Sequence, residues 1–206
     1  MDFNKEAANW DTPQRLERAA VIAGEIRRSV SLQGELKALE FGAGTGLISF
    51  ELADSLAEIW CVDPSAAMIA KLQEKIAQRK QGNIRACCAA IESIEAPGEG
   101  FDLIYTSMAL HHASDLLKTL TTLARLLRFG GSLCIVDLDE DDGSFHRQEE
   151  NFSGYHGFQQ TGLKAVLEKV GFSEVKAKTF YHGKKKLENG TEHPYSLFSM
   201  SGKKSS

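Results

Sequence analysis

A strand-to-helix turn with three glycines in five positions, Gly42-Ala43-Gly44-Thr45-Gly46, constrains this chain more than any other stretch. Lys37-Ala38-Leu39 ahead of it reads as the end of a buried strand. Behind it, Ile48, Leu52 and Leu56 recur at helical spacing. Glycine allows the positive φ of such a turn and lets a ligand approach closer than a β-carbon would permit. The free amides of the new helix point at whatever occupies the turn.

Nucleotide-type ligands are favoured, and the pattern narrows them. The dinucleotide fingerprint G-x-G-x-x-G needs a third glycine for close helix packing, and Leu47 stands in that place. An acid, Glu40, lies two residues upstream of the first glycine. Downstream, Glu58-Ile59-Trp60-Cys61-Val62-Asp63 is a β-branched and aromatic run ending in an acid, 21 residues after Gly42. That is close to the interval at which a carboxylate closing the second strand can accept both ribose hydroxyls, a solvated loop Asp being the alternative.

Composition excludes several classes. A chain of 206 residues suits one domain, 42% hydrophobic and 25% charged as in ordinary globular proteins. A net charge of −4 gives no global positive field for nucleic acid or an anionic bilayer, so neither is expected as a partner. No apolar run approaches the roughly 20 residues of a membrane span. Without the apolar centre of a signal peptide near Met1, a cytoplasmic location is the expectation. Cys61, Cys87, Cys88 and Cys134 show no metal-ligand spacing and read as reduced core thiols.

Thr12 and Pro13 open an amphipathic helix with Leu16, Ala19, Ala20, Ala23 and Ile26 at helical spacing. Trp10 in the polar arm ahead of it either pins the arm to the core or lets the arm cover the glycine turn. After Pro64 a helix is predicted to about Lys80, then strands at Asn83–Ala90 and Phe101–Thr106. A helix opened by Asp115 is expected to stop at Gly130-Gly131, with a fifth strand at Ser132–Asp137. The alternation implies a parallel sheet. It breaks at the end: after a helix at Thr161–Val170, strands at Val175–Tyr181 and Tyr195–Ser201 join through Glu188-Asn189-Gly190, too short for anything but an antiparallel pair.

A G-x-G-x-G turn with an acid two residues before it, an acid ending the second strand and a closing antiparallel hairpin together resemble the class I S-adenosylmethionine-dependent methyltransferases. The similarity runs from about Ala7 to Lys203. It implies an α/β fold, a doubly wound Rossmann-like seven-stranded sheet of order 3-2-1-4-5-7-6 with strand 7 antiparallel. It also implies one domain over residues 1–206, with an arm at 1–11 and a substrate-side loop at 138–160. By resemblance the cofactor is S-adenosyl-L-methionine: Gly42, Ala43, Gly44 and Gly46 would line its methionine part and Glu40 would serve its ammonium. Asp63 would take the ribose hydroxyls, with Pro64 and Met68 near the adenine. Met68 reads equally well as core. Leu103 to His112, including Ser107, resembles the strand and loop that run under the sulfonium. Where the family commonly has an acid for the adenine amine, this chain has Ala90-Ile91, so Ile91 is expected to pack on the ring. Phe129 replaces the proline many members carry before Gly130-Gly131.

Methyl transfer is an in-line displacement in which the protein chiefly aligns the reactants, so a base is needed only for a protic acceptor. His111 and His112, at the ligand edge of the sheet, are the candidate bases, with loop capping as the alternative. Trp10, His146, Tyr155 and His156 are the candidate substrate-pocket residues. Asp137-Leu138-Asp139-Glu140-Asp141-Asp142-Gly143 begins like a calcium loop, but Asp142 holds the glycine position and Gln148 the twelfth, so no metal site is expected. The leading expectation is methyl transfer to a small-molecule acceptor. A cofactor-binding regulatory protein of the same fold and an NAD-dependent oxidoreductase are the alternatives, the latter explaining neither Leu47 nor the hairpin.

Overall fold

The structure, a computed structural model, describes residues 2–32, 35–149, 152–186 and 190–205. Seven strands, β1 (Lys37–Phe41), β2 (Glu58–Asp63), β3 (Ile84–Cys88), β4 (Phe101–Ser107), β5 (Leu127–Leu138), β6 (Phe172–Lys186) and β7 (Glu192–Lys204), form one sheet in the order β3-β2-β1-β4-β5-β7-β6. Pairings from β3 through β5 are parallel, whereas β7 runs antiparallel to both β5 and β6. The expected order and the reversed last strand are both present.

The helices are α1 (Phe3–Glu6), α2 (Pro13–Ser29), α3 (Leu47–Leu52), α4 (Ala66–Arg79), α5 (Leu116–Leu126) and α6 (Gln160–Lys169). Thr12 caps α2 by accepting from the Arg15 amide (3.3 Å), with Pro13 in the first turn, as the sequence predicts. Strand alternation divides the core into two layers. Ala38, Cys61, Tyr105 and Val136 face Ile22, Ile26, Leu52 and Leu72 of α2, α3 and α4. Leu39, Val62, Ile104 and Ile135 face Leu120, Leu123, Leu163 and Leu167 of α5 and α6. Both sheet faces are thus covered, which is why the central strands read as continuous apolar runs. No helix among the described residues is long and apolar enough to cross a membrane.

Three boundaries differ from the sequence reading. The helix after the glycine turn ends at Leu52, and Ala53–Ser55 finish it as a 3-10 turn rather than continuing to Leu56. Gly130-Gly131 do not stop α5, which ends at Leu126 when Leu127 turns extended (φ −77°, ψ 144°). The pair lies inside β5, beside an irregularity in the β4–β5 register, and a β-carbon on Gly131 would sit 2.9 Å from the Arg128 carbonyl oxygen and 3.0 Å from that of Phe101. The closing strands are longer than predicted, 15 and 13 residues. Of the predicted link between them, Glu188 and Asn189 lie outside the described residues.

Candidate active site

The three turn glycines have positive φ, +70°, +53° and +77° for Gly42, Gly44 and Gly46, but for different reasons. A β-carbon on Gly42 would lie 2.3 Å from that of Ala109, and one on Gly46 would lie 2.5 Å from Leu72 Cδ1. Packing against neighbouring elements demands these two. At Gly44 the nearest atoms are Trp10 Nε1 at 3.7 Å and Met68 Sδ at 3.9 Å, leaving a small cradle open over the backbone. The Gly42 and Ala43 amides donate to the Val62 carbonyl (2.9 and 3.1 Å), which ties the turn to the end of β2.

Asp63, ending β2, reaches into that cradle. Its Oδ2 accepts from the Gly44 amide and its Oδ1 from the Ser65 amide, both at 2.8 Å. Burial raises its carboxyl above the usual aspartate range, and the two amide bonds partly oppose the rise. Two carboxylate oxygens beside an open glycine backbone form a donor-and-acceptor set that fits a ribose diol and an amino-acid moiety.

Glu40 does not face open space. It is 2% exposed, accepts from Ser49 Oγ, and belongs to a buried cluster in which Ser49 Oγ also meets Tyr105 Oη (2.6 Å) and Cys61 Sγ (3.0 Å). Burial pushes its carboxyl up to about 8, with the Ser49 hydrogen bond pulling the other way. In this closed arrangement Glu40 lies beneath the turn as a protonatable acid rather than as an open receptor for an ammonium.

The arm folds across the turn. Asp11 Oδ1 accepts from Thr45 Oγ1 (2.5 Å) while its Oδ2 pairs with Lys75 Nζ (2.7 Å), whose second bond goes to the Thr45 carbonyl (2.8 Å). Asn4 Oδ1 accepts from Ser65 Oγ (2.9 Å) and the Ala67 amide (3.2 Å), at the start of α4. Phe3 packs edge-on against Trp10 and His112, and Arg15 stacks on the Trp10 ring at 3.8 Å. Of the two readings open for Trp10, the arm covers the glycine turn.

Of the residues expected near an adenine, Pro64 and Ala90 are exposed and Met68 is 1% exposed with its sulfur close to Gly44. Ile91 differs from expectation. It is 4% exposed and packed into the core layer with Leu39 and Val62, because the 3-10 turn Ile91–Ser93 rotates it inward instead of presenting it to a ring. Ser107 ends β4 opposite Val136, and Met108 follows with φ +51°, a left-handed conformation that turns the chain sharply into the histidine loop.

That loop, the 3-10 turn Leu110–His112, holds both candidate bases against the glycine turn through Ala109. His111 is 2% exposed, and its Nδ1 lies 2.6 Å from Oδ1 of Asp137, which is wholly buried in β5. The Asp137 carboxylate also accepts from the His111 and Leu138 amides (3.2 and 2.8 Å). In the tautomer where Nδ1–H donates to the Asp137 carboxylate, Nε2 is the nitrogen left to accept. His112 is half-buried, its ring centroid 4.1 Å from that of His111. His146 arrives from the 3-10 turn Ser144–His146, 3% exposed and stacked on Phe152 (3.7 Å, 4°). Burial lowers both His112 and His146 to about 4, and His111 adds to the effect, so both are neutral near pH 7.

Of the four substrate-pocket candidates, Trp10 and His146 lie at this site. Tyr155 and His156 are exposed, although the His156 ring is 5.4 Å from Phe152 and the Tyr155 amide donates to the His111 carbonyl (2.7 Å). The acidic run is engaged in local structure. Asp139 accepts from Gln160, Thr179 and Ser196. Asp141 and Asp142 accept from the amides of Gly143, Phe145 and Ser144, opening the turn that carries His146. Sequence reasoning missed Asp11, Thr45 and Lys75, and it read Asp137 as the head of a calcium-like loop. An acid near the end of β5 and a histidine in the turn after β4 were the available signal, legible only once β4 and β5 are known to be neighbours.

Residues 38–131 match a family described as a methyltransferase domain. The chain is 31% identical over 195 residues to a malonyl-[acyl-carrier protein] O-methyltransferase of Paenibacillus sp. (strain JDR-2), covering 84% of this chain and 70% of that one. It is 27% identical over 184 residues to the O-methyltransferase rstn1 of Aspergillus nomiae, covering 81% and 79%. Other curated relatives match over shorter stretches, the chain spanning 40% to 48% of their length. Among solved structures, a SAM-dependent methyltransferase from Aquifex aeolicus superposes with a TM-score of 0.67 at 17% identity, over 96% of this chain and 97% of that one. The open glycine, the Asp63 carboxylate beside it, the reversed seventh strand and a 31% identical relative covered over 70% of its length lead to one assignment: the chain belongs to the class I S-adenosylmethionine-dependent methyltransferases.

Proposed function

We propose that this methyltransferase acts on an oxygen of a small-molecule acceptor, with residues 1–206 working as one domain whose arm (1–11) and segment 138–160 shape the acceptor side. The observation that carries this reading is the buried His111–Asp137 pair, packed through Ala109 against the first glycine of the turn. A carboxylate that fixes one imidazole proton leaves the other nitrogen oriented to accept a proton from a hydroxyl. The two O-methyltransferase relatives support oxygen as the acceptor atom. A small acceptor rather than nucleic acid accords with the net charge of −4.

When bound, S-adenosylmethionine supplies the electrophilic methyl and a thioether leaving group. Asp63 would hold the ribose hydroxyls, and Gly42, Ala43, Gly44 and Gly46 the methionine part. Glu40, enclosed with Ser49, would support the turn from beneath. Pro64, Met68 and Ala90 would bound the adenine, and Ser107 the sulfonium side. Trp10 would exclude water from above. His112, His146, Tyr155 and His156 would border the acceptor.

The test pairs calorimetric titration of S-adenosylhomocysteine with its release during turnover on a panel of hydroxyl, carboxyl and amine acceptors. Asp63→Ala is expected to weaken S-adenosylhomocysteine tenfold or more, and His111→Gln to keep that affinity while losing turnover on hydroxyls. Turnover confined to amines, or undiminished in His111→Gln, would overturn the oxygen and base assignments.

A further inference from the structure

The fold gathers three imidazoles from two separate segments, and the gathering is tighter than loop capping needs. One ring nitrogen from each of His111, His112 and His146 lies within 4.8 Å of those of the other two. A tetrahedral zinc site with Zn–N bonds of about 2.0–2.1 Å spaces its nitrogens by about 3.3 Å, so side-chain rotations of roughly 1.5 Å or less close the set. We propose that these three histidines form a binding site for one divalent transition-metal ion of zinc-like preference, with its fourth position open to an oxygen of the acceptor.

Two further observations point to a cation independently of the spacing. His146 is 97% buried by its 3% exposure, yet its Nδ1 has no hydrogen-bond partner, which is an anomaly for a buried ring nitrogen. Stacking on Phe152 and an edge contact from Phe145 hold that ring in place. On the other side, the Asp137 carboxylate engages His111 Nδ1 at 2.6 Å and is itself fixed by two backbone amides. That is the carboxylate–histidine arrangement which orients a ligating imidazole and raises its basicity. Three neutral nitrogen ligands and an open position suit zinc, cobalt or nickel rather than magnesium or calcium, which require oxygen. The Asp141, Asp142 and His193 group, of which only Asp142 is exposed, is a weaker alternative, because its carboxylates already accept from backbone amides.

The chemical consequence deepens the acceptor assignment above and rests on it, whereas the binding claim does not. An acceptor oxygen held at the fourth position becomes more acidic, as water does on zinc. His111 then serves as a ligand, the ion takes over the activation that the base reading assigns to that imidazole, and the acidified hydroxyl loses its proton to solvent water before the methyl arrives.

The experiment is a direct titration of Zn2+ into chelator-stripped full-length protein kept under reductant, followed by Co2+ absorption spectroscopy. One ion per chain is expected, with the visible bands of a tetrahedral cobalt site and no thiolate charge-transfer band. His146→Phe, which keeps the ring stack, should weaken Zn2+ at least tenfold. Asp137→Asn should weaken it roughly 10- to 100-fold at unchanged stoichiometry. His193→Ala should change nothing. If His146→Phe does not fold, judged by circular dichroism, His112→Asn at the half-buried position replaces it with the same expected loss. No stoichiometric ion, wild-type affinity in the histidine variant, or loss in His193→Ala would overturn the site. S-adenosylhomocysteine titration of the same stripped protein separates the outcomes: its failure counts against the cofactor assignment, and the failure of Zn2+ alone counts against the metal site.

Discussion

Replacing Glu40 by glutamine should remove a specific slope from the stability of the protein against pH. The folded carboxyl titrates at about 8, above its ordinary 4.5, because burial disfavours the anion. Between those values the folded protein holds one proton more than the unfolded chain. Stability from this group is therefore full below about 4.5, declines as pH rises, and is lost above about 8. The slope is about 1.4 kcal/mol per pH unit, so roughly 2 kcal/mol disappears between pH 6 and pH 8, where the titration is half complete. For a domain of this size that is about 4–8 °C in Tm. Glutamine resembles the protonated acid and can still accept from Ser49, so the variant should match wild type near pH 4, and its advantage should grow by that margin between pH 6 and pH 8. Differential scanning calorimetry without cofactor, at matched ionic strength, measures both. Parallel Tm profiles across this range would refute the claim that Glu40 is a buried, protonated acid.

Other expectations follow from the same geometry. Gly42→Ala places a side chain at φ +70° and 2.3 Å from Ala109, so it should lose about 1–2 kcal/mol from the backbone alone and more from displaced packing, visible as a lowered Tm. Gly44→Ala meets nothing closer than 3.7 Å, so it should fold with only the backbone penalty yet bind S-adenosylhomocysteine at least tenfold more weakly, since its methyl fills the cradle. Asp11→Ala strips the partner from Lys75 and Thr45, and about 1–3 kcal/mol of unmet hydrogen bonding should free the arm. Hydrogen exchange should then accelerate at residues 3–10 while the strands of the sheet stay protected.

Local chemistry was legible in the sequence and long-range pairing was not. The glycine turn, its flanking strand and helix, and Asp63 sit within the 27 residues from Lys37 to Asp63, where turn and periodicity signals act directly. The Thr12 cap and Pro13 start were equally local. Gly130-Gly131 misled because glycine after an amphipathic run looks like a helix stop, whereas a register irregularity and two close carbonyls require it inside a strand. Ile91 was assigned to the adenine side on its position after the third strand, but a single 3-10 turn decides which way it faces. The His111–Asp137 pair joins residues 26 apart, and Asp11–Lys75 joins residues 64 apart. Both exist only after the sheet and its first helix layer have formed. Glu40 was recognised as part of the turn, although nothing in its neighbours along the chain announces that Ser49, Tyr105 and Cys61 would enclose it.

The reversed last strand has a consequence for the chemistry at the opposite end of its neighbour. Asp137 faces His111 only because β5 is in phase, and Asp137 pairs with Phe198 in a ladder running from Ser132–Lys203 to Leu138–Leu197. A slip of one residue would carry the carboxylate through the sheet to the α2–α4 side and put a leucine or valine in its place. Through the Asp137–Phe198 pairing, the C-terminal hairpin therefore acts as an indexing ratchet for the carboxylate that holds His111. Trimming or loosening that hairpin should cost turnover before it costs the fold.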